Sequence, residues 1–264
     1  MVLSFIRLKS PRLLRKYRME SKLVEVSIKP RPYLAKLSGV RELYSGVKSF
    51  TFEFEEEFYF RPGQFVVLET KDDGENLIRR SYSIASRSGE RLIELVMNIL
   101  PDGKMTKILD GLELGSEIKL IGPYGKFGEG ASDLKDGIVF IVAGTGIVPV
   151  KCVLDSLFAS GFRRKITLLY GFRHESHFLF ERELNERSKK DKNFELVPSI
   201  SRPENPKKCK ELGWKVGRVT DFIEGYSKEN SSFFICGLSQ MVKDVKKRLL
   251  TSGVASEKIH VEIW

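Results

Sequence analysis

Two textures of hydrophobic and polar positions divide the chain. From Leu34 to Leu120, short alternating runs are separated by Gly, Pro and Asp: Lys48 to Phe54, Phe65 to Glu69, Ser81 to Ala85, Leu92 to Asn98 and Glu117 to Leu120. Short strand-like runs with turn residues between them predict an antiparallel barrel or sandwich. After Asp136 the apolar runs become continuous in Val, Ile and Phe and alternate with helix-like segments. Ile138 to Ala143, Ile166 to Gly171, Phe194 to Ile200 and Ser232 to Cys236 read as buried strands. Val150 to Ser160, Leu179 to Arg187 and Met241 to Leu250 read as helices, and Val219 to Ile223 continues the alternation. That order predicts a parallel sheet covered on both faces, with ligands at the carboxyl ends of its strands. The expected organisation is a basic extension over residues 1–33, an antiparallel β-barrel domain over 34–132 and an α/β parallel-sheet domain over 133–264.

Composition adds little to this picture. A chain of 264 residues suffices for two compact domains, and 41% hydrophobic with 30% charged residues is ordinary for a globular protein. The longest apolar run, Gly137 to Ala143, is far shorter than the roughly 20 residues that cross a bilayer, so no membrane span is expected. Arg7, Lys9, Arg12, Arg15, Lys16 and Arg18 make the start basic and acid-free; it reads as an extension, with an organellar targeting segment as the alternative to a cytoplasmic location. Cys152, Cys209 and Cys236 are scattered, which gives neither a disulfide framework nor a metal-ligand spacing. His174 and His177 lack a third ligand nearby in sequence, so no metal is expected. The net charge of +10 favours an acidic partner; with no nucleic-acid module around the basic residues, an acidic protein is expected rather than a nucleic acid.

The candidate chemistry lies in short motifs. Gly144-Thr145-Gly146-Ile147-Val148-Pro149 joins an apolar strand to a helix. Glycines there let the backbone turn tightly and approach a pyrophosphate, Pro149 suits the first helical position, and free amides attract anions. The turn lacks the third glycine of the usual dinucleotide fingerprint and the lysine of a P-loop. In Arg80-Ser81-Tyr82-Ser83-Ile84-Ala85-Ser86, strand alternation puts Arg80, Tyr82 and Ile84 on one face and Ser81 and Ser83 on the other. An arginine for phosphate, an aromatic ring to stack and a hydroxyl for a ring nitrogen are what a flavin needs; a plain amphipathic strand is the competing reading. Pro101-Asp102-Gly103-Lys104-Met105-Thr106 is a turn opening onto a helix, suited to a second phosphate region.

These motifs, with Arg61-Pro62-Gly63-Gln64-Phe65, Gly122-Pro123-Tyr124-Gly125 and Cys236-Gly237, follow one another in an order that resembles the ferredoxin–NADP reductase superfamily over Leu34 to Trp264. The resemblance implies an FAD-binding barrel followed by a Rossmann-like NADP-binding domain, and an enzyme passing hydride between NADP(H) and FAD and single electrons to a separate carrier. By it, Arg80 binds the FAD pyrophosphate, Tyr82 stacks on the isoalloxazine, Ser83 bonds its N5, and Gly103, Lys104, Met105 and Thr106 hold phosphate. Ser81, Met97, Asn98, Ile99, Gly144, Thr145, Gly146, Ile147, Pro149, Gly237 and Met241 join the cofactor-binding positions. Cys236 borders the nicotinamide, with a buried structural cysteine as the alternative. Glu262 helps manage the N5 proton, with a surface acid at the terminus as the alternative. Trp264 covers the flavin face opposite Tyr82, where plant-type members carry tyrosine. Arg173, Ser201, Arg202 and Arg218 are the positions for a 2′-phosphate, which favours NADP(H) and leaves NAD(H) as the alternative. An iron–sulfur module needs about four cysteines per cluster, so the acceptor is expected to be a separate acidic ferredoxin or flavodoxin. An NADH-dependent reductase component of an oxygenase or cytochrome system, and a regulatory subunit that binds flavin without turnover, are the other readings.

Overall fold

The computed structural model describes residues 14–19, 22–227 and 230–263. Within the expected extension, β1 (Leu14–Met19) and β2 (Lys22–Ser27) pair antiparallel. The barrel follows, with β3 (Arg31–Tyr44), β4 (Val47–Phe58), β5 (Phe65–Lys71), β6 (Leu77–Ser83), β7 (Glu90–Asn98), the short helix α1 (Lys104–Asp110) and β8 (Glu117–Tyr124). Its antiparallel sheet runs in the order β6-β5-β8-β3-β4-β7. The two end strands meet through the Ile84–Leu95 bridge and the bond from Ala85 N–H to the Glu94 carbonyl, which closes the sheet. Closure buries Phe50, Phe52 and Phe54 from alternate positions of β4 against Leu37, Val66, Leu68, Ile93, Leu95 and Leu120. Each such side chain contributes about 1.5–3 kcal/mol when removed from water.

A turn at Ala131–Asp133 leads into the second domain: β9 (Gly137–Ala143), α2 (Ile147–Ala159), β10 (Ile166–Phe172), α3 (Glu181–Lys190), β11 (Phe194–Ile200), α4 (Pro206–Glu211), β12 (Lys215–Val216), β13 (Ser231–Gly237), α5 (Ser239–Thr251) and β14 (Ile259–Ile263). All six strands are parallel, in the order β12-β11-β10-β9-β13-β14. The pleat sends Ile138, Phe140 and Val142 of β9 into one core with Val150, Val153, Leu154 and Leu157 of α2. Val139 and Ile141 enter the opposite core with Val242, Val245 and Leu249 of α5. The continuous apolar run therefore reflects a strand buried on both faces. Val219 to Ile223, read as part of the alternation, forms a 3-10 segment over Val219–Gly225 rather than a regular helix. Strand order reverses between β9 and β13, so a crevice opens at their carboxyl ends. Among the described residues no helix is long and apolar enough to cross a membrane.

The second domain packs on the barrel through α2. A Cβ on Gly128 would lie 2.3 Å from the Pro62 carbonyl oxygen and 2.5 Å from Val153 Cγ2, so glycine permits the close approach. The Cys152 thiol donates to the Ser86 carbonyl (3.3 Å) from within this seam, where burial raises its pKa to about 12 and leaves it protonated. The Tyr44 ring of the barrel stacks on His177 of the second domain, centroids 4.3 Å apart.

Candidate active site

β6 ends where the barrel meets the crevice. Tyr82 is half-buried beside the barrel core, and burial pushes its phenol up to about 12, so it presents a neutral ring. Burial along β6 does not follow strict alternation: Arg80 is exposed although it shares a face with the buried Ile78 and the half-buried Tyr82. Ser83 and Ile84 are both buried, Ile84 by the barrel core and Ser83 by the second domain. The Ser83 hydroxyl lies 3.2 Å from Glu262 Oε1 and donates to it. Burial raises the Glu262 carboxyl to about 7, against the opposing pull of the Ser83 bond. A carboxyl at that value exchanges protons near neutral pH, as a general acid or base must. Glu262 stands opposite Cys236 in the β13–β14 register, and Cys236 is fully buried at the sheet's carboxyl end. Trp264 lies outside the described residues.

The turn after β9 forms the other wall. Gly144 adopts φ +55°, a left-handed conformation that favours glycine, and a Cβ there would meet nothing within 4 Å. Its carbonyl accepts from the buried Tyr170 hydroxyl at 3.2 Å, which anchors the turn. Gly146 is required for a different reason: a Cβ there would stand 2.4 Å from the Cys236 carbonyl oxygen. The 3-10 turn over Gly144–Gly146 runs directly into α2, so Pro149 occupies the third helical position rather than the first, still within the turn that lacks intrahelical acceptors. Ile147 and Pro149 are buried, leaving Gly144 and Thr145 at the crevice. Asn98 Nδ2 donates to Thr145 Oγ1 at 3.2 Å, tying the end of β7 to this turn.

The phosphate-directed groups divide. Arg80 is exposed, and its only bond among the described residues is to the Arg79 carbonyl, so its charge is uncommitted. Ser81 is exposed beside it. Lys104 is held by Asp72 at 2.9 Å, and that contact brings the Asp72 carboxyl down to about 2. The Thr106 hydroxyl is buried and committed to Leu100 and Gly103, so it braces its own turn. Met97 and Met105 point into the barrel core, so only their backbone is available to a ligand; Ile99 is half-buried at the end of β7. The half-buried Tyr82 ring, the free Arg80 charge and the glycine cradle at Gly144 fit a flavin and a dinucleotide.

Comparison with known proteins agrees. The oxidoreductase FAD-binding domain family matches residues 35–128 and the oxidoreductase NAD-binding domain family matches residues 140–247. Sulfhydrogenase 2 subunit gamma of Pyrococcus furiosus is 32% identical over 254 residues, spanning 88% of this chain and 83% of that protein. Ferredoxin–NADP reductase B of Sorangium cellulosum is 28% identical over 243 residues, spanning 89% and 98%. The chain belongs to the ferredoxin–NADP reductase superfamily. The fold agrees with a solved ferredoxin–NADP reductase of Neisseria gonorrhoeae, holding FAD and NADP, at a TM-score of 0.77 and 22% identity over 88% of this chain and 98% of that one. As a member of this superfamily the chain is an oxidoreductase with an FAD-binding barrel and a nicotinamide-nucleotide-binding domain.

In this reductase-like chain the positions expected for a 2′-phosphate lie at the carboxyl ends of β10, β11 and β12. Ser201 N–H bonds the Phe172 carbonyl (3.0 Å) and Arg202 N–H bonds the Arg173 carbonyl (2.8 Å), which brings two of the three expected arginines onto adjacent loops. Arg218 follows β12, and Gly217 N–H bonds the Ile200 carbonyl. Arg173, Ser201, Arg202 and Arg218 are all exposed; Arg218 N–H bonds the Asp221 carboxylate (2.8 Å), but none of the three guanidinium groups forms an ion pair among the described residues. Gly237 and Met241 close the other side, the Met241 Cε lying 3.1 Å from where a Gly237 Cβ would stand. Sequence reasoning missed Glu175 and Glu204, whose carboxylates stand with His174 so that ligand atoms of all three lie within 4.8 Å of one another. The Glu175 oxygens already accept bonds from backbone amides. No sequence signal marked these residues, because they meet only through the fold of two loops.

Proposed function

We propose that the chain transfers hydride from NADPH to FAD and passes electrons singly to a separate acidic carrier of the ferredoxin or flavodoxin type. The observation carrying this reading is the Ser83–Glu262 contact. It joins the barrel to the parallel-sheet domain and sets a carboxyl with a pKa of about 7 behind a hydroxyl. The bound flavin supplies the exchange between two-electron and one-electron chemistry. Tyr82 would orient its ring and Arg80 would neutralise its pyrophosphate. Ser83 would hydrogen-bond N5, and Glu262 would hold the proton that Ser83 passes to or takes from that atom. Cys236 and Gly237 would border the nicotinamide, and Gly144 and Thr145 would offer backbone amides to its pyrophosphate.

The choice of NADPH is supported by three uncommitted guanidinium groups and a serine at the ends of adjacent parallel strands, a set suited to a phosphate dianion. The choice of an acidic carrier is supported by the net charge of +10 and by likeness to a ferredoxin–NADP reductase along nearly its whole length. The test is NADPH-driven reduction of an iron–sulfur ferredoxin by the FAD-loaded protein at increasing salt. A rate that falls steeply with ionic strength is expected; a rate insensitive to salt contradicts the electrostatic part of the reading.

A further inference from the structure

Glu175 is an acid placed among arginines that pairs with none of them. It opens the 3-10 turn Glu175–His177 after β10, two positions beyond Arg173. Its Oε1 accepts from the amides of Glu204 (2.9 Å) and Asn205 (3.2 Å) and from the Cys209 thiol (3.4 Å), and its Oε2 accepts from Glu204 N–H at 3.2 Å. Glu204 and Asn205 lie in the loop between β11 and α4, the same loop that carries Ser201 and Arg202. The carboxylate thus spends its acceptor capacity on the β11–α4 loop and on Cys209 of α4 and ignores the guanidinium groups. Burial works to raise the Glu175 carboxyl, yet the amide and thiol bonds outweigh it and hold the group below its ordinary value, ionised.

The loop has few other ties. At its start Ser201 bonds the Phe172 carbonyl through both its amide (3.0 Å) and its hydroxyl (3.4 Å), and Arg202 N–H bonds the Arg173 carbonyl (2.8 Å). Asn205 caps α4 at its end by accepting from Lys208 N–H at 3.1 Å. Between these points the Glu175 carboxylate joins the β11–α4 loop to the β10–α3 loop. Without it, two loop amides lose their acceptor, and among the described residues only the bonds of Ser201 to Phe172 and of Arg202 to Arg173 still join the two loops.

We propose that Glu175 is a positioning residue for nucleotide specificity: it clamps the two loops so that Arg173, Ser201 and Arg202 face one phosphate group, and leaves their charges free to receive it. This rests on the reading that these residues take the 2′-phosphate of NADP. Glu175 touches no ligand; its action is through the backbone at 204 and 205. A carboxylate suits the task because its two oxygens accept several bonds at once and its charge offsets the mutual repulsion of the arginines while no nucleotide is present.

The test is calorimetric binding of 2′,5′-ADP and of 5′-AMP to the FAD-loaded full chain. Equal affinity of the native protein for the two would remove the 2′-phosphate reading itself, and the clamp with it. Given a native preference for 2′,5′-ADP, E175A is expected to weaken 2′,5′-ADP about tenfold and 5′-AMP less than about twofold. E175Q keeps an oxygen at the Oε1 position for both amides and is expected to stay within about threefold of the native protein. E175D keeps the charge but withdraws the oxygens by one methylene, and serves if E175A does not fold; its expected preference falls between those of E175A and the native chain. An undiminished preference for 2′,5′-ADP in E175A, or in E175D where E175A does not fold, would overturn the proposal, as would equal weakening of both ligands.

Discussion

The hydroxyl of Ser83, at the end of a barrel strand, lies 3.2 Å from the carboxylate of Glu262, on the edge strand of the parallel sheet. The two residues stand far apart in the chain and belong to different cores, so their contact exists only when both domains are folded and docked. A proton relay built this way depends on the domain interface as well as on its two members.

The raised carboxyl of Glu262 gives a stability signature with a definite sign. The folded chain keeps a proton at about pH 7 that the unfolded chain releases near its ordinary 4.5. Between those values unfolding releases a proton, so stability falls as pH rises through the window and is level above it. E262Q cannot ionise and escapes the fall. It is expected to match the native protein at pH 4.5 and to exceed it at pH 8 by about 1–2 kcal/mol, less than the whole shift would give because the carboxyl keeps partial access to solvent. Urea unfolding at both pH values measures this, and equal differences at the two would refute it.

S83A removes the hydroxyl between Glu262 and the crevice. Flavin reduction by NADPH is expected to slow about a hundredfold, with nucleotide affinity changed little, in line with the loss of a positioned proton-transfer group. Stopped-flow absorbance follows this directly. A large rise in KM with kcat intact would assign Ser83 to binding instead.

Arg80 is exposed and lacks an acid partner among the described residues. R80A is therefore expected to leave folding intact and to weaken FAD about tenfold or more, through loss of a charge-assisted contact to phosphate. Flavin fluorescence released on dilution gives the affinity. Unchanged retention would show that the pyrophosphate sits elsewhere.

Gly146 tests the packing at the switch point. A Cβ there would stand 2.4 Å from the Cys236 carbonyl oxygen and 2.8 Å from its carbon, both backbone atoms that cannot swing aside. G146A is expected to cost about 2 kcal/mol, in the range for overpacked cores. A thermal melt unchanged from the native protein would mean that the β9 turn and β13 lie farther apart.

Much of this architecture was legible from hydrophobic pattern, and the exceptions have physical reasons. The strands Val47–Phe58 and Gly137–Ala143 announced themselves because one alternates and the other is buried on both faces. Arg31–Tyr44 did not, since only Ala35 and Leu37 along it are buried and its outer face mixes Leu34 and Val40 with Lys36 and Glu42, which blurs the alternation. Ile259–Ile263 is a five-residue edge strand with one buried side chain, and Pro206–Glu211 is a polar helix of barely more than one turn. In the site, Arg80 and Tyr82 lie on β6 and Gly144 in the turn between β9 and α2, the elements that their patterns predicted. The Ser83–Glu262 pairing is invisible to spacing and came only from family likeness. Glu175 carried no signal at all, because its partners are two amides on another loop.

The proposed chemistry places a flavin against Tyr82, where it exchanges hydride with a nucleotide held at Gly144. Anaerobic titration of the purified, FAD-reconstituted protein with NADPH and then NADH, followed by visible absorbance, tests this chemistry. The expected result is a yellow protein bleached stoichiometrically by NADPH at lower concentration than by NADH. A protein that stays colourless after incubation with FAD, or whose bound flavin neither nucleotide bleaches, would contradict it.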